Sequence, residues 1–398
     1  MTYDFDTPLD RRGTHSVKWD SLRENFGRDD LLPLWVADMD FATPPFVVDC
    51  LRRRLEHPVL GYTFAGDDWS SAIVDWLANR YQWLVSPDSL TYLPGIVHGL
   101  AYVVQAFTQP GDKVLVMSPV YHPFFLVSSK LGREVVYSPL SLAVIPEGTA
   151  SVSADRVISI DFDRLEADLK GCRAMVLCHP HNPGGRAWTL EELQTIARLC
   201  RKEGVLVISD EIHADLTLSG HRHRPFATVC PEAAGNCVTM MAPSKAFNMA
   251  GLSSSYAVVP DAGLQARFRS FIDAGEFDFG HLFSYEPLVA AYRQGGEWLG
   301  QMLAYVEANL DWLETCLQEH LPQVSMIRPQ ASFLVYLDFR RTGLSQEALV
   351  HKVINEAHLA LNDGAMFGPE GRGFMRLNVG CPRATLQQAM DQLCRAFA

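Results

Sequence analysis

Apolar and polar positions alternate along the middle of the chain in two periods. Short apolar runs of strand length occur at residues 113–117, 174–178, 205–209, 238–241 and 255–259. Between several of them the apolar positions recur every three to four residues, as on one face of a helix. Residues 189–204 show this best. Thr189 and Glu192 have the spacing of a capping box; Leu190, Leu193, Ile196, Ala197 and Cys200 share one face, and Gly204 supplies a stop. Strands alternating with helices predict an α/β fold with a mostly parallel sheet covered on both faces.

The two ends read differently. Residues 1–45 are rich in charge, Trp and Pro, and are expected to form an arm packing with the small domain or a partner subunit. From about residue 288 a long amphipathic helix is predicted through Trp298, Leu299, Met302, Val306, Leu310 and Leu313. An apolar strand at 333–339 and a closing helix at 385–397 follow. The expected division is an arm (1–45), a large domain (46–287) and a small α+β domain (288–398). Residues 141–156 are polar and irregular and read as a surface loop.

Composition narrows the class. The 398 residues carry a net charge of −12, which repels nucleic-acid phosphate and anionic lipid, so neither is an expected partner. The acidic start lacks the pattern of a secretory signal, and no apolar run reaches membrane-spanning length, so a cytoplasmic protein is expected. Nine scattered cysteines without a CxxC read as reduced thiols.

The residues with chemical potential gather at predicted strand ends, where open parallel sheets bind ligands. CHPHNPGGR, after the strand at 174–178, contains Asn182. ISDEIH places Asp210 after the next strand, and APSKAFNMAG places Lys245 after the one at 238–241. A lysine amine can form a Schiff base with an aldehyde cofactor, a carboxylate can pair with a protonated pyridine nitrogen, and an amide can donate to a phenolate oxygen. LPGIVHGL adds Gly95 at a turn opening a helix with Val97, Ala101, Val104 and Phe107, a start suited to phosphate. Each signal alone has a bland counterpart: a surface lysine, a capping aspartate, an NPG turn. His179, His181, His221 and His223 permit a metal pair in principle, but without a third ligand they read as polar loop histidines, and no metal is expected.

The landmarks YDFDTPLDRRGTHSVKWD, LWVADMDF, GYT, FTQPGDKVLVMSPVYHPFF, HNPGGRAWTLEEL, SDEIHADL, APSKAFNMAGL and RLNVGCPR span nearly the whole chain. In them the sequence resembles the fold-type I, aspartate aminotransferase-like pyridoxal-phosphate enzymes, and within these the cystathionine β-lyase (C–S lyase) branch. The resemblance implies pyridoxal 5'-phosphate bound to Lys245, Asp210 on the ring nitrogen, Asn182 on the phenolate oxygen, and His213 where many aminotransferases have tyrosine. Tyr121 would stack on the ring and assist proton transfer. Gly95, Ile96, Val97 and Ser244 would hold the phosphate, with Tyr62 reaching the phosphate of a neighbouring subunit in a homodimer. Arg376 would clamp the substrate carboxylate, while Asp38 and Trp35 would line the substrate entrance. The implied activity is β-elimination from cystathionine or related S-substituted cysteines. The alternatives are an aminotransferase using a 2-oxo acid, or a lyase that also binds a regulatory partner. The sequence departs from the pattern in NMAGLSSS, which lacks the phosphate-binding arginine of many aminotransferases, and in QASFL (330–334) and GEFDFGHLFSYE.

Overall fold

The computed structural model describes residues 2–143 and 156–398. Its centre is a seven-stranded sheet in the order Leu90–Leu93, Ser255–Val258, Cys237–Met241, Leu206–Asp210, Cys172–Cys178, Lys113–Ser118 and Glu134–Pro139. Only Ser255–Val258 runs antiparallel to its neighbours. The central strands carry near-continuous apolar runs because both faces are covered. Val114, Val116, Ala174, Val176 and Ile208 belong to one core, whereas Leu115, Met117, Met175, Leu177 and Val207 belong to the other. Each fully buried side chain of this size contributes about 1.5–3 kcal/mol.

Register decides where the loops emerge. Cys178 stands opposite Asp210, and Asp210 opposite Met240, so three parallel strands end at one level. Backbone bonds continue the alignment past the sheet: His179 N–H donates to Asp210 O, Glu211 N–H to Met240 O, and Tyr121 N–H to Asn182 O, at 2.9, 2.9 and 3.0 Å. The predicted strands are found with ends shifted by a residue or two, and Asp210 is the last strand residue rather than the first beyond it. The helix Leu190–Glu203 carries the expected capping box, and Gly204 closes it in the left-handed conformation.

Two expectations are corrected. The apolar face starting at residue 288 belongs to two helices, Leu282–Gln294 and Gly296–His320, which meet at Gly295. A Cβ at Gly295 would stand 2.2 Å from a ring carbon of Phe247 and 2.3 Å from Ala291 O, so the chain there runs too close to its neighbours for a side chain. Within the supposed loop 141–156, Ser141–Ala143 is a strand paired with Val157–Ser159. The rest of that expectation, 144–155, lies outside the described residues. All nine cysteines are free thiols.

A four-stranded antiparallel sheet follows, in the order Ser325–Ile327, Leu334–Asp338, Phe374–Asn378, Asn362–Asp363. Helix Gly296–His320 packs with Arg383–Phe397 beside it. The N-terminal residues reach this region as well. Leu32–Pro33 pairs in parallel with Leu359–Ala360, and Phe5 packs edge-on against Phe41 and Trp298. Among the described residues no helix is long and apolar enough to cross a membrane.

Candidate active site

Asp210 ends the middle strand and is buried. Its Oδ1 accepts the Ile212 N–H at 3.0 Å, and no cation lies within ion-pair distance among the described residues. Burial raises its pKa from the ordinary carboxylate range to about 7. The Ile212 N–H and the positive charge of Lys245 pull against that rise, while neighbouring Glu211 adds to it. Lys245 lies four residues beyond the adjacent strand end, and its Nζ donates to Ala37 O at 2.7 Å. Burial lowers its pKa to about 8, with Arg376 pushing the same way and Asp38 and Asp210 opposing. An amine with such a pKa is substantially neutral near pH 8, as a nucleophile or base must be.

Arg376 sits at the centre of the strand Phe374–Asn378, buried, over the ring of Phe367 at 4.9 Å. Its Nη1 donates to Asn182 Oδ1 at 3.0 Å, and its Nη2 to Asn362 Oδ1 at 2.6 Å and Trp35 O at 2.9 Å. All these acceptors are neutral. Nε is buried without a partner, and no carboxylate forms an ion pair with the guanidinium among the described residues. Burial lowers its pKa to about 10. An uncompensated buried cation costs several kcal/mol, which an incoming carboxylate would offset.

Residues 34–41 cross between these groups as a strap whose carbonyls are claimed one after another. Trp35 O takes Arg376, Val36 O and Asp38 O both take Asn378 Nδ2 at 2.7 Å, and Ala37 O takes Lys245. Asn248 holds the next stretch, accepting from Met39 N–H and donating to Met39 O and Phe41 O. Beneath it lies an ion cluster. Lys18 is fully buried with Nζ 2.6 Å from Asp40, and Arg11 bridges Asp40 at 2.8 Å and Asp38 at 2.6 Å. Two cations against two anions make this burial tolerable. Arg11 holds Oδ2 of Asp38, while Oδ1 is buried without a hydrogen-bond partner, 3.9 Å from Lys18 Nζ; the strap's hydrogen bonds to Lys245 and Arg376 come from its carbonyls.

His213 is buried, its pKa lowered to about 3 by burial and by the charges of Lys245 and Arg376, so the ring is neutral. Its Nδ1 is buried without a partner. A buried unpaired lone pair costs less than a buried unpaired N–H, so the proton belongs on Nε2. Burial raises the Tyr121 pKa, as does Asp210, with Arg376 opposing; the phenol stays protonated at neutral pH. Gly95 precedes the helix Ile96–Phe107 with φ 145°, a conformation L side chains rarely adopt, and the first helical bond is Gly99 N–H to Gly95 O. The preceding amides, those of Ile96 and Val97 among them, are the unpaired donors of a helix start.

These groups fit pyridoxal phosphate. A buried carboxylate without a cation suits a protonated ring nitrogen, a near-neutral lysine suits an aldehyde, and a helix start opened by glycine suits a phosphate. The first match gives an expected result. Because the native-state pKa lies above the ordinary carboxylate value, the stabilisation from protonated Asp210 is fully present near pH 4 and is lost as pH rises from there through 7. Apoprotein carrying Asp210→Asn should therefore unfold at a higher temperature than wild type at pH 8, with the gap closing toward pH 4. An equal or lower melting temperature at pH 8 would contradict this.

Lys245, Asp210, Asn182, His213, Tyr121, Arg376, Trp35 and Asp38 come together through these bonds and charges. Buried Ser244 lies beside Lys245 and accepts Met249 N–H at its carbonyl. Tyr62 does not join them: it is 105% exposed, with Leu60 and Phe64 exposed nearby. The histidines are not polar loop residues throughout, since His179, His181 and His223 are buried. Sequence reasoning missed Asn378, Asn248, Arg11, Lys18 and Asp40. Asn378 could have been found, since it lies two residues from Arg376 on the same strand face.

The aminotransferase class I and II family model matches residues 29–393. The chain is 41% identical to cystathionine beta-lyase PatB of Bacillus subtilis over 99% of this chain and 100% of that one. Cystalysin from Treponema denticola, solved with pyridoxal 5'-phosphate, superposes with a TM-score of 0.92 at 30% identity, covering 100% of this chain and 99% of that one. The pyridoxal-phosphate-bound C–S lyase from Staphylococcus hominis gives 0.90 at 30% identity with the same coverage. With its fold, its strand-end lysine and aspartate and its buried arginine, this chain belongs to the aminotransferase class I and II family.

Proposed function

We propose that this protein is a pyridoxal-phosphate-dependent C–S β-lyase, cleaving cystathionine or related S-substituted L-cysteines to a thiol, pyruvate and ammonia. The observation that carries an amino-acid substrate is Arg376, a buried guanidinium without an anion whose charge is felt at Lys245. The full-length likeness to a cystathionine beta-lyase and to C–S lyase structures favours elimination over amino transfer.

Arg376 binds the substrate α-carboxylate, and Asn182 and Asn362 fix the fork that receives it. Lys245 Nζ, once freed, takes the proton from the α-carbon. Pyridoxal phosphate, when bound, supplies the electron sink that lets the β-sulfur leave as a thiolate. Asp210 would keep the ring nitrogen protonated, and His213 Nε2–H and Asn182 would donate to the phenolate oxygen. Tyr121 would cover the ring, with its protonated phenol available to the leaving sulfur. The Gly95–Val97 helix start holds the phosphate, with Ser244 beside it. The aminoacrylate product takes up one water and hydrolyses to pyruvate and ammonia, so no 2-oxo acid acceptor is consumed.

The protein acts as a homodimer in this reading, with Tyr62 reaching the neighbouring subunit's phosphate. Its full exposure, among exposed Leu55, Val59, Leu60 and Phe64, supports that assignment. Purified protein with pyridoxal phosphate should release pyruvate and thiol in equal amounts from L-cystathionine and from an S-alkyl-L-cysteine, with no keto acid present. Amino transfer on adding a keto acid, without pyruvate, would make it an aminotransferase instead.

A further inference from the structure

Next to Asp210 in the chain lies a buried acid–imidazole pair that the reaction above does not use. Glu211 and His223 have fully buried side chains, with Oε2 and Nε2 2.7 Å apart. Glu211 Oε1 accepts Ser209 Oγ–H at 2.8 Å and Phe226 N–H at 2.9 Å. The His179 ring lies 4.4 Å from that of His223. Its Nε2 bonds Arg224 O at 2.9 Å, and its backbone N–H donates to Asp210 O.

The protons can be counted from these partners. A carbonyl only accepts, so His179 carries its proton on Nε2 and its buried Nδ1 is a bare lone pair. His223 Nδ1 is likewise buried without a partner. A proton there would be an unpaired buried donor, so a single proton lies between Oε2 and Nε2. One proton on that bond leaves the pair with a charge of −1, directly beside Asp210 in the chain.

We infer that the Glu211–His223 pair supplies a second negative charge beside Asp210, which helps hold the proton on the cofactor's ring nitrogen. Glu211 is then a positioning residue acting through Asp210, and it touches neither substrate nor cofactor. Two adjacent buried carboxylates repel, which makes the arrangement costly without a cation nearby; a protonated ring nitrogen is the cation that relieves it. Burial raises the Glu211 pKa to about 7, with His179, the Phe226 N–H and the Ser209 hydroxyl opposing, so the pair carries its full charge above that pH, and that charge in turn raises the pKa of Asp210. The charged and titratable groups facing the pair are few. Arg80 and Tyr81 face it from the helix Asp67–Tyr81, and His179 from the adjacent strand end. Cys237 and Tyr256 lie beneath, and both feel the Glu211 charge. Arg80 is taken by Asp215 at 2.8 Å, so it does not neutralise Glu211.

The inference rests on Asp210 meeting the ring nitrogen and not on the choice of lyase over aminotransferase. The test is the 15N chemical shift of ring-labelled pyridoxal phosphate bound to wild type, Glu211→Gln, Glu211→Asp and His223→Gln, followed against pH. Loss of the charge in Glu211→Gln should lower the pH at which the ring nitrogen deprotonates by roughly one unit. Glu211→Asp, which keeps the charge, and His223→Gln, which keeps a donor to it, should titrate like wild type. A Glu211→Gln curve superimposed on wild type overturns the inference, and so does a shift common to all three variants, the mark of a packing role. Should Glu211→Gln not fold, the neutral Glu211→Met takes its place: a ring-nitrogen titration moved to lower pH supports the inference and a curve superimposed on wild type overturns it. An unprotonated ring nitrogen in the wild type itself would instead sink the reading of Asp210.

Discussion

Lys245→Ala is expected to leave a folded protein with no visible absorbance from lysine-bound pyridoxal phosphate, and with activity reduced by roughly a hundred- to ten-thousand-fold. Two functions are lost at once: the covalent anchor and the base at the α-carbon. The fold should survive because Nζ makes one bond to a strap that Asn378 and Asn248 also hold. Burying that amine also lowers its pKa, so its removal relieves a cost in the empty protein. If the two subunits share their sites, mixing Lys245→Ala with Tyr62→Ala subunits should restore part of the activity, since one site in the mixed dimer keeps both groups. Imine absorbance persisting in Lys245→Ala would show that another amine is the anchor.

Arg376→Ala should lower kcat/KM by roughly 30- to 5,000-fold, the equivalent of about 2–5 kcal/mol for one lost partner of a buried charge pair. The loss should fall mainly on KM, because the carboxylate is bound before and during reaction alike. Arg376→Lys should recover little: a point charge cannot reach Asn182, Asn362 and the Trp35 carbonyl together while also receiving a planar anion. Steady-state kinetics on an S-alkyl-L-cysteine read both. An unchanged KM would mean that another group binds the carboxylate. The fork is also braced to the strap, so a melting curve must accompany the kinetics.

The parts of the site that could be read in the chain are those whose reasons are local. Asp210, Lys245 and Asn182 follow apolar runs of strand length, and the ends of neighbouring parallel strands necessarily lie side by side. Thr189 and Glu192 cap a helix three residues apart. What escaped depends on partners far away. Lys18 resembles any surface lysine until Asp40 and Arg11 are known to enclose it. Gly295 divides an otherwise continuous apolar face because Phe247, nearly fifty positions earlier, leaves no room for a Cβ. His223 reads as a polar loop histidine beside His221, yet it is buried and its partner is Glu211, whose only sequence signal is its place next to Asp210. Within residues 1–45, nothing in the sequence separates Lys18 and Asp40, which pair in the interior, from the exposed charges around them.

The strap also dictates when the site can exist. Residues 35–38 are synthesised well before the groups that take their carbonyls, which lie 208 positions later at Lys245 and 342 positions later, from Val36, at Asn378. While the chain is still on the ribosome, the strand-end loops can form around Asp210 before the strap has anything to bind. Only when the strand Phe374–Asn378 has been released can Arg376 and Asn378 draw the two ends of the chain together. A nascent chain, or one cut before Phe374, is therefore expected to lack the closed pocket however well its central sheet has formed, so the pocket closes after the sheet that carries it.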